Sequence, residues 1–129
     1  MIKAHDNVVR DLSFSPSTLK FISCSEDTKA KIFDFLTAKE EFQYKGHGSD
    51  VKSCDWHPSQ CLVVTGSKDN YVKLWDPRSG DDVMNLQPHN KSIKSVRFNP
   101  INGNWLLTGS DDGSLKVHDL RVMKDFNTF

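Results

Sequence analysis

The chain repeats itself about every 42 residues, and a period of that length restricts the available folds more than any other feature. His5, His47 and His89 stand 42 and 42 residues apart in similar surroundings. Phe14-Ser15-Pro16, Trp56-His57-Pro58 and Phe98-Asn99-Pro100 recur at the same spacings. Ile32-Phe33-Asp34, Leu74-Trp75-Asp76 and Val117-His118-Asp119 close apolar stretches at spacings of 42 and 43. The extra residue falls within Ile101-Asn102-Gly103-Asn104, a polar, Gly-containing turn where lengthening costs least.

Each repeat reads as four short strands separated by turn residues. In the middle repeat the strands are expected at about 50–56, 61–66, 71–76 and 82–87. Asp69-Asn70 and Asp112-Gly113 lie between the second and third strands, where a tight hairpin needs residues that tolerate positive φ. Pro77-Arg78-Ser79-Gly80 turns the third strand into the fourth. Residues 33–44 also read as a short amphipathic helix, but the register places them over a third-to-fourth strand hairpin. First-strand positions recur too: Val9, Val51 and Ile93; Leu12, Cys54 and Val96; Phe14, Trp56 and Phe98. A strand held between neighbouring sheets must be apolar on both faces.

A His early and a Trp-Asp late in a period near 42 make the chain resemble the WD-repeat family of β-propellers over its whole length. The middle copy, Gly46-His47 to Leu74-Trp75-Asp76, is the most complete. The resemblance implies an all-β fold of three four-stranded antiparallel blades, with repeats at about 4–45, 46–87 and 88–129. It further implies an open fragment of a larger propeller, seven-bladed by family analogy. Closure takes at least four blades. Three blades are therefore expected to leave two apolar outer faces open, and such faces favour self-association.

In the resembled family a His, a Ser or Thr, an Asp and a Trp form a hydrogen-bonded chain inside a blade. The matching residues are His47, Thr65, Asp69 and Trp75. A buried Asp needs donors, a buried indole N–H needs an acceptor, and imidazole can link the two. The outer repeats carry partial copies: His5, Ser23 and Asp27 with Phe33 in the Trp position, and His89, Thr108 and Asp112 with His118 there. Phe33 cannot donate, so Asp69→Ala is expected to destabilise the fold more than Asp27→Ala.

Other chemistries fit poorly. His, Ser or Thr, and Asp resemble a hydrolase triad, but the set recurs with the period, as a single active site does not. No G-x-S-x-G elbow or Gly-rich phosphate loop is present, so no catalytic residue and no cofactor is expected. Cys54, His57 and Cys61 have ligand-like spacing, yet Cys54 sits in an apolar strand position and no fourth ligand is evident, so no metal site is expected. Lys plus Arg and Asp plus Glu are each 17, and a net charge of zero argues against nonspecific binding to nucleic acid or anionic membrane. No apolar run approaches the roughly 20 residues of a membrane span. Met1-Ile2-Lys3-Ala4-His5 begins no secretory signal. Three cysteines (Cys24, Cys54 and Cys61), an odd number without framework spacing, suit free thiols in nucleus or cytosol.

Arg10, Lys52 and Lys94 share one position near the start of the first strand, 42 residues apart. If these strands line a central channel, the three form a partial ring of positive charge at one mouth, a candidate surface for phosphates or an acidic peptide. Arg97 and Lys91 would add to it, and Asp11 and Asp50 would offset it. The plainer reading is solvated charge at strand ends.

Four stretches carry a narrower resemblance: Asp50 to Pro58, Lys68 to Gly80, Gly103 to Thr108, and Lys20 to Asp27. They are similar to the WD-repeat subunits of the pre-mRNA cleavage and polyadenylation factor. That similarity implies a nuclear, non-catalytic scaffold whose partners are other subunits of the factor, with pre-mRNA reached through the full-length protein. It implies no small-molecule substrate and no membrane. A different task is implied by Trp75-Asp76-Pro77-Arg78, which matches the W-D-x-R pattern of substrate receptors for cullin–RING ubiquitin ligases. Asp119-Leu120-Arg121 is a weaker copy. An unspecialised WD-repeat scaffold is the third reading.

Overall fold

The computed structural model describes residues 1–121 and the backbone of residues 124–128. The expected end of the third repeat at Phe129 lies outside the described residues. Twelve strands form three sheets. The first holds β1 (Val9–Phe14), β2 (Lys20–Ser25), β3 (Lys29–Asp34) and β4 (Glu40–Lys45), in that order and antiparallel. The second holds β5 (Val51–Trp56), β6 (Val63–Ser67), β7 (Val72–Trp75) and β8 (Asp82–Leu86). The third holds β9 (Ile93–Phe98), β10 (Trp105–Ser110), β11 (Leu115–Asp119) and β12 (Lys124–Thr128). These are three blades of a propeller.

The repeat in sequence is also a repeat in register. Phe14 pairs with Phe21 and Trp56 with Val63, each across seven positions, whereas Phe98 pairs with Leu106 across eight. The added residue of the third repeat therefore sits in the β9–β10 loop. Each blade has a register shift in its third-to-fourth strand pairing at one repeated position: Ile32/Phe33, Leu74/Trp75 and Val117/His118. Such a bulge raises local twist. Residues 33–44 form no helix. Asp34 Oδ1 accepts the N–H groups of Leu36 and Thr37, and this tight turn leads directly into β4.

The core lies between blades. Val51, Cys54 and Trp56 of β5 pack against Ile22, Cys24, Ala30 and Ile32 of the first blade. Ile93, Val96 and Phe98 of β9 pack in the same manner against Val64, Val72 and Leu74 of the second. Gly66 is required here, because a Cβ on it would lie 2.6 Å from Ile93 Cγ2 and 2.8 Å from Val96 Cγ1.

Candidate functional site

The middle blade carries a continuous polar chain. The Trp75 indole N–H donates to Thr65 Oγ1 at 2.9 Å, and that oxygen lies 2.7 Å from His47 Nε2. His47 Nδ1 lies 3.0 Å from Asp69 Oδ2. A carboxylate only accepts, so Nδ1 carries the proton and Nε2 accepts the Thr65 hydroxyl. Asp69 also accepts the Gly48 and Tyr71 N–H groups. Burial alone would raise the Asp69 pKa; the His47 bond and these two N–H groups hold it down to about 2.

The first blade stops one residue earlier. His5 joins Asp27 at 2.9 Å and Ser23 at 2.7 Å, and Asp27 accepts the Asp6 and Lys29 N–H groups. Phe33 stacks on Phe21 with ring centroids 5.4 Å apart and closes the blade by packing alone. The third blade has four members by another route. His89 joins Asp112 and Thr108, each at 3.0 Å, and His118 Nε2 takes the Trp position, 3.1 Å from Thr108 Oγ1. The Thr108 proton goes to His89, so His118 donates through Nε2–H.

Three further sets of polar residues, whose roles were not read from the sequence, share the same period. Ser25, Ser67 and Ser110 accept the N–H groups of Asp27, Asp69 and Asp112, and so brace each second-to-third strand turn. Ser15, His57 and Asn99 each cap the first-to-second strand turn by accepting N–H groups two or three residues ahead. The third set joins blades. Asp11 Oδ2 accepts from Ser53 Oγ and Cys54 N, and Ser13 Oγ accepts Trp56 N. One blade on, Ser53 Oγ accepts Val96 N and Asp55 Oδ2 accepts Phe98 N. Alternate side chains of one inner strand thus satisfy the free-edge N–H groups of the next, which would otherwise be orphaned. Their recurrence at 42 residues was the signal available in sequence.

The basic positions do not stand as free charges. Arg10 pairs with Glu26, Lys52 with Asp50 at 3.5 Å and Lys94 with Asp111 at 3.6 Å. Exposed pairs such as Lys94–Asp111 contribute about 0–1 kcal/mol, whereas Lys52 and Asp50 are half-buried. Arg97 lies apart from this slot: its Nη1 donates to Asp11 Oδ2 at 2.9 Å and to Ser53 Oγ at 2.8 Å, drawing all three inner strands together. At the rim Arg78 forks onto both oxygens of Asp76, and Arg121 does the same on Asp119. Cys24 and Cys54 are buried and Cys61 is exposed, with burial pushing the Cys54 thiol pKa up. His57 Nε2 is committed to the Gly103 carbonyl at 2.9 Å. Among the described residues no group of three His, Cys, Asp or Glu side chains is placed to hold a metal ion.

This architecture has named relatives. The profile of the family described as WD domain, G-beta repeat matches residues 1–34, 38–76 and 80–119. A segment of 40 residues, 31% of the chain, is 50% identical to polyadenylation factor subunit 2 of Candida albicans. A segment of 32 residues, 25% of the chain, is 62% identical to polyadenylation factor subunit 2 of Aspergillus fumigatus. The aligned segments span 7% and 6% of those relatives' own lengths.

Proposed function

This chain belongs to the WD domain, G-beta repeat family, and from that premise we propose that it is a non-catalytic scaffold in nuclear pre-mRNA 3′-end cleavage and polyadenylation. The observation that carries this reading is the identity of 50% and 62% to two relatives named for polyadenylation. The site chemistry supports a scaffold. Each His–hydroxyl–Asp set recurs once per blade, and in each the His Nε2 is engaged by a hydroxyl inside the blade. The hydroxyls sit on His Nε2 as a triad nucleophile would, but Ser23, Thr65 and Thr108 are at most 1% exposed, out of reach of a substrate carbonyl. The sets work as braces that hold turns and blade edges in one shape.

The partners under this reading are other subunits of the cleavage and polyadenylation factor, with pre-mRNA reached through the full-length protein. Arg10, Lys52 and Lys94 are the candidate contact residues, exchanging weak internal pairs for an acidic segment of a partner. The ubiquitin-ligase reading rests on the W-D-x-R match alone, with Arg78 exposed and forked onto its own Asp76.

The test is affinity purification of the tagged protein from nuclear extract, with partners identified by mass spectrometry with and without ribonuclease. Cleavage and polyadenylation subunits that survive ribonuclease are the expected result. A cullin and its adaptor in their place would overturn the reading and make Arg78 the first residue to change. Lys52→Glu with Lys94→Glu should lower partner recovery without shifting the melting temperature; unchanged recovery would remove these residues from the contact surface.

A further inference from the structure

The cations at the strand starts recur with the blades, and so do the acids that answer them, except in the middle blade. In the first blade Arg10 pairs with Glu26, in the β2–β3 turn, and in the third Lys94 pairs with Asp111, in the β10–β11 turn. The same position of the middle blade holds Lys68. Its N–H donates to the Asp50 carbonyl at 2.8 Å, as those of Glu26 and Asp111 donate to the Val8 and Ser92 carbonyls, each at 3.0 Å. The three side chains therefore leave the backbone at equivalent points. A cation stands where the other blades place an anion, and Lys52 turns instead to Asp50 at 3.5 Å.

The excess charge continues across the seam with the third blade. Asn70 Nδ2 donates to the Asn90 carbonyl at 3.3 Å, which sets the β6–β7 turn against the loop that leads into β9. That loop carries Lys91 where the seam of the first and second blades has Ser49. Lys68 and Lys91 are exposed, and among the described residues neither has an acidic partner or an acceptor. The turn carboxylates Asp69 and Asp112 commit their oxygens to His47, His89 and local N–H and hydroxyl groups. The seam lies inside the array, with a blade on each side, so its surface is the same whichever blades adjoin the outer two.

We propose that the seam of the second and third blades binds an acidic peptide segment of a partner protein, Lys68 and Lys91 taking its carboxylates directly with Lys52 and Lys94 beside them. This rests on the scaffold reading and narrows its contact surface to one seam. Asp50 and Asp111 flank the four lysines, a balance that suits a few side-chain carboxylates and opposes the closely spaced phosphates of a nucleic-acid strand. Tyr71, the exposed aromatic beside Asn70, already has the Lys73 ammonium over its ring at 5.9 Å, where a base would stack.

Fluorescence anisotropy of a labelled oligoglutamate peptide, titrated with the purified full-length protein, tests this. Binding that weakens as salt rises is the expected result. Two variants restore the pattern of the first blade and should melt as wild type does: Lys68→Glu supplies the acid found at Glu26, and Lys91→Ser the residue found at Ser49. Lys68→Glu should weaken peptide binding roughly tenfold, since it removes an attraction and adds a repulsion, and Lys91→Ser roughly threefold. Lys39→Glu makes the same charge change at an exposed lysine on the opposite rim, in the β3–β4 turn, and should leave binding unchanged. Wild type that ignores the peptide, a Lys68→Glu variant that binds no worse than Lys39→Glu, or an oligouridylate of equal charge that binds more tightly than the peptide would each overturn the proposal. Recovery of polyadenylation subunits from nuclear extract is a separate measurement, so the scaffold reading stands or fails apart from this one.

Discussion

The first and middle blades share one repeat yet end their polar chains differently. In both, a buried His bridges a hydroxyl and a carboxylate, and the carboxylate holds two backbone N–H groups besides. Only in the middle blade does the hydroxyl also serve an indole. Trp75 in turn stacks on Tyr44 of the first blade, with ring centroids 4.8 Å apart, and Tyr44 donates to the Asp76 carbonyl at 2.9 Å. Phe33 makes its stack with Phe21 inside its own sheet. Trp75 thus ties a blade's interior to its neighbour, while the Phe33 stack stays within one sheet.

The largest effect should come from the hydroxyl that serves two partners. Thr65→Val leaves both the Trp75 N–H and His47 Nε2 unsatisfied, and at about 1–3 kcal/mol per buried group the loss should be roughly 2–6 kcal/mol. Ser23→Ala strands only His5 Nε2 and should lose about half as much. Equal shifts of the denaturant midpoint would show that the indole adds nothing. Next, Trp75→Phe makes the middle blade resemble the first. It keeps the Thr65–His47 bond, so its cost in the same measurement should fall below that of Thr65→Val, at about 1–3 kcal/mol.

The aspartates sharpen the comparison further. The sequence implies that Asp69→Ala costs more than Asp27→Ala. Each carboxylate holds the same three donors, which narrows the expected gap to within about 1 kcal/mol, Asp69→Ala remaining the worse. A wider gap in thermal melts would mean that the indole end stiffens the whole chain. Turn residue 28 tests the blades in the opposite direction. Thr28, Asn70 and Gly113 share one position with φ of 75°, 76° and 84°, and Thr28 is β-branched in a region that Asn and Gly tolerate. Thr28→Asn should raise stability by about 0.5–1 kcal/mol. No gain in melting temperature would show that the Asp27 and Ser25 bonds already offset the strain.

The smallest effect depends on pH. Ser15, His57 and Asn99 cap equivalent turns, but only the imidazole titrates. Burial lowers the His57 pKa, and the Gly103 carbonyl and nearby Asp55 offset this only in part. Its neutral form accepts the Ser59 and Gln60 N–H groups. That contribution is complete above the unfolded value of about 6.5 and is lost as pH falls through the lower folded value. Melting temperature should therefore decline below about pH 6.5, less steeply in His57→Asn. Asp69 acts in a separate window: its contribution is present above about pH 4 and lost as pH falls towards 2.

Much of the site was legible in the linear chain because its members recur. The His, hydroxyl and Asp positions keep their order and spacing, and the structure joins them with bonds of 2.7–3.0 Å in every blade. The serines at 25, 67 and 110 recur as regularly, but serine is common in turns and carries no chemistry that draws attention to a repeat. Asp11 was read as a charge offsetting the basic positions, and Asp55 was given no role. Their function is to accept N–H groups from the next blade, which follows only once inner strands lie side by side. His118 in the Trp position showed a departure from pattern; that it donates as the indole does depended on where its ring came to rest.

The sequence by itself determined three four-stranded repeats in this stretch, the strand positions and the His–hydroxyl–Asp set of each. These depend on contacts within one repeat, where spacing along the chain sets distance in space. The tertiary structure alone decided which charges pair and which faces stay open. Arg97 meets Asp11 across 86 residues and His57 meets the Gly103 carbonyl across 46, because three sheets set side by side bring those groups together. Identical apolar positions are sealed between blades and bare at the ends for the same reason: burial depends on what lies opposite a side chain as well as on the side chain itself.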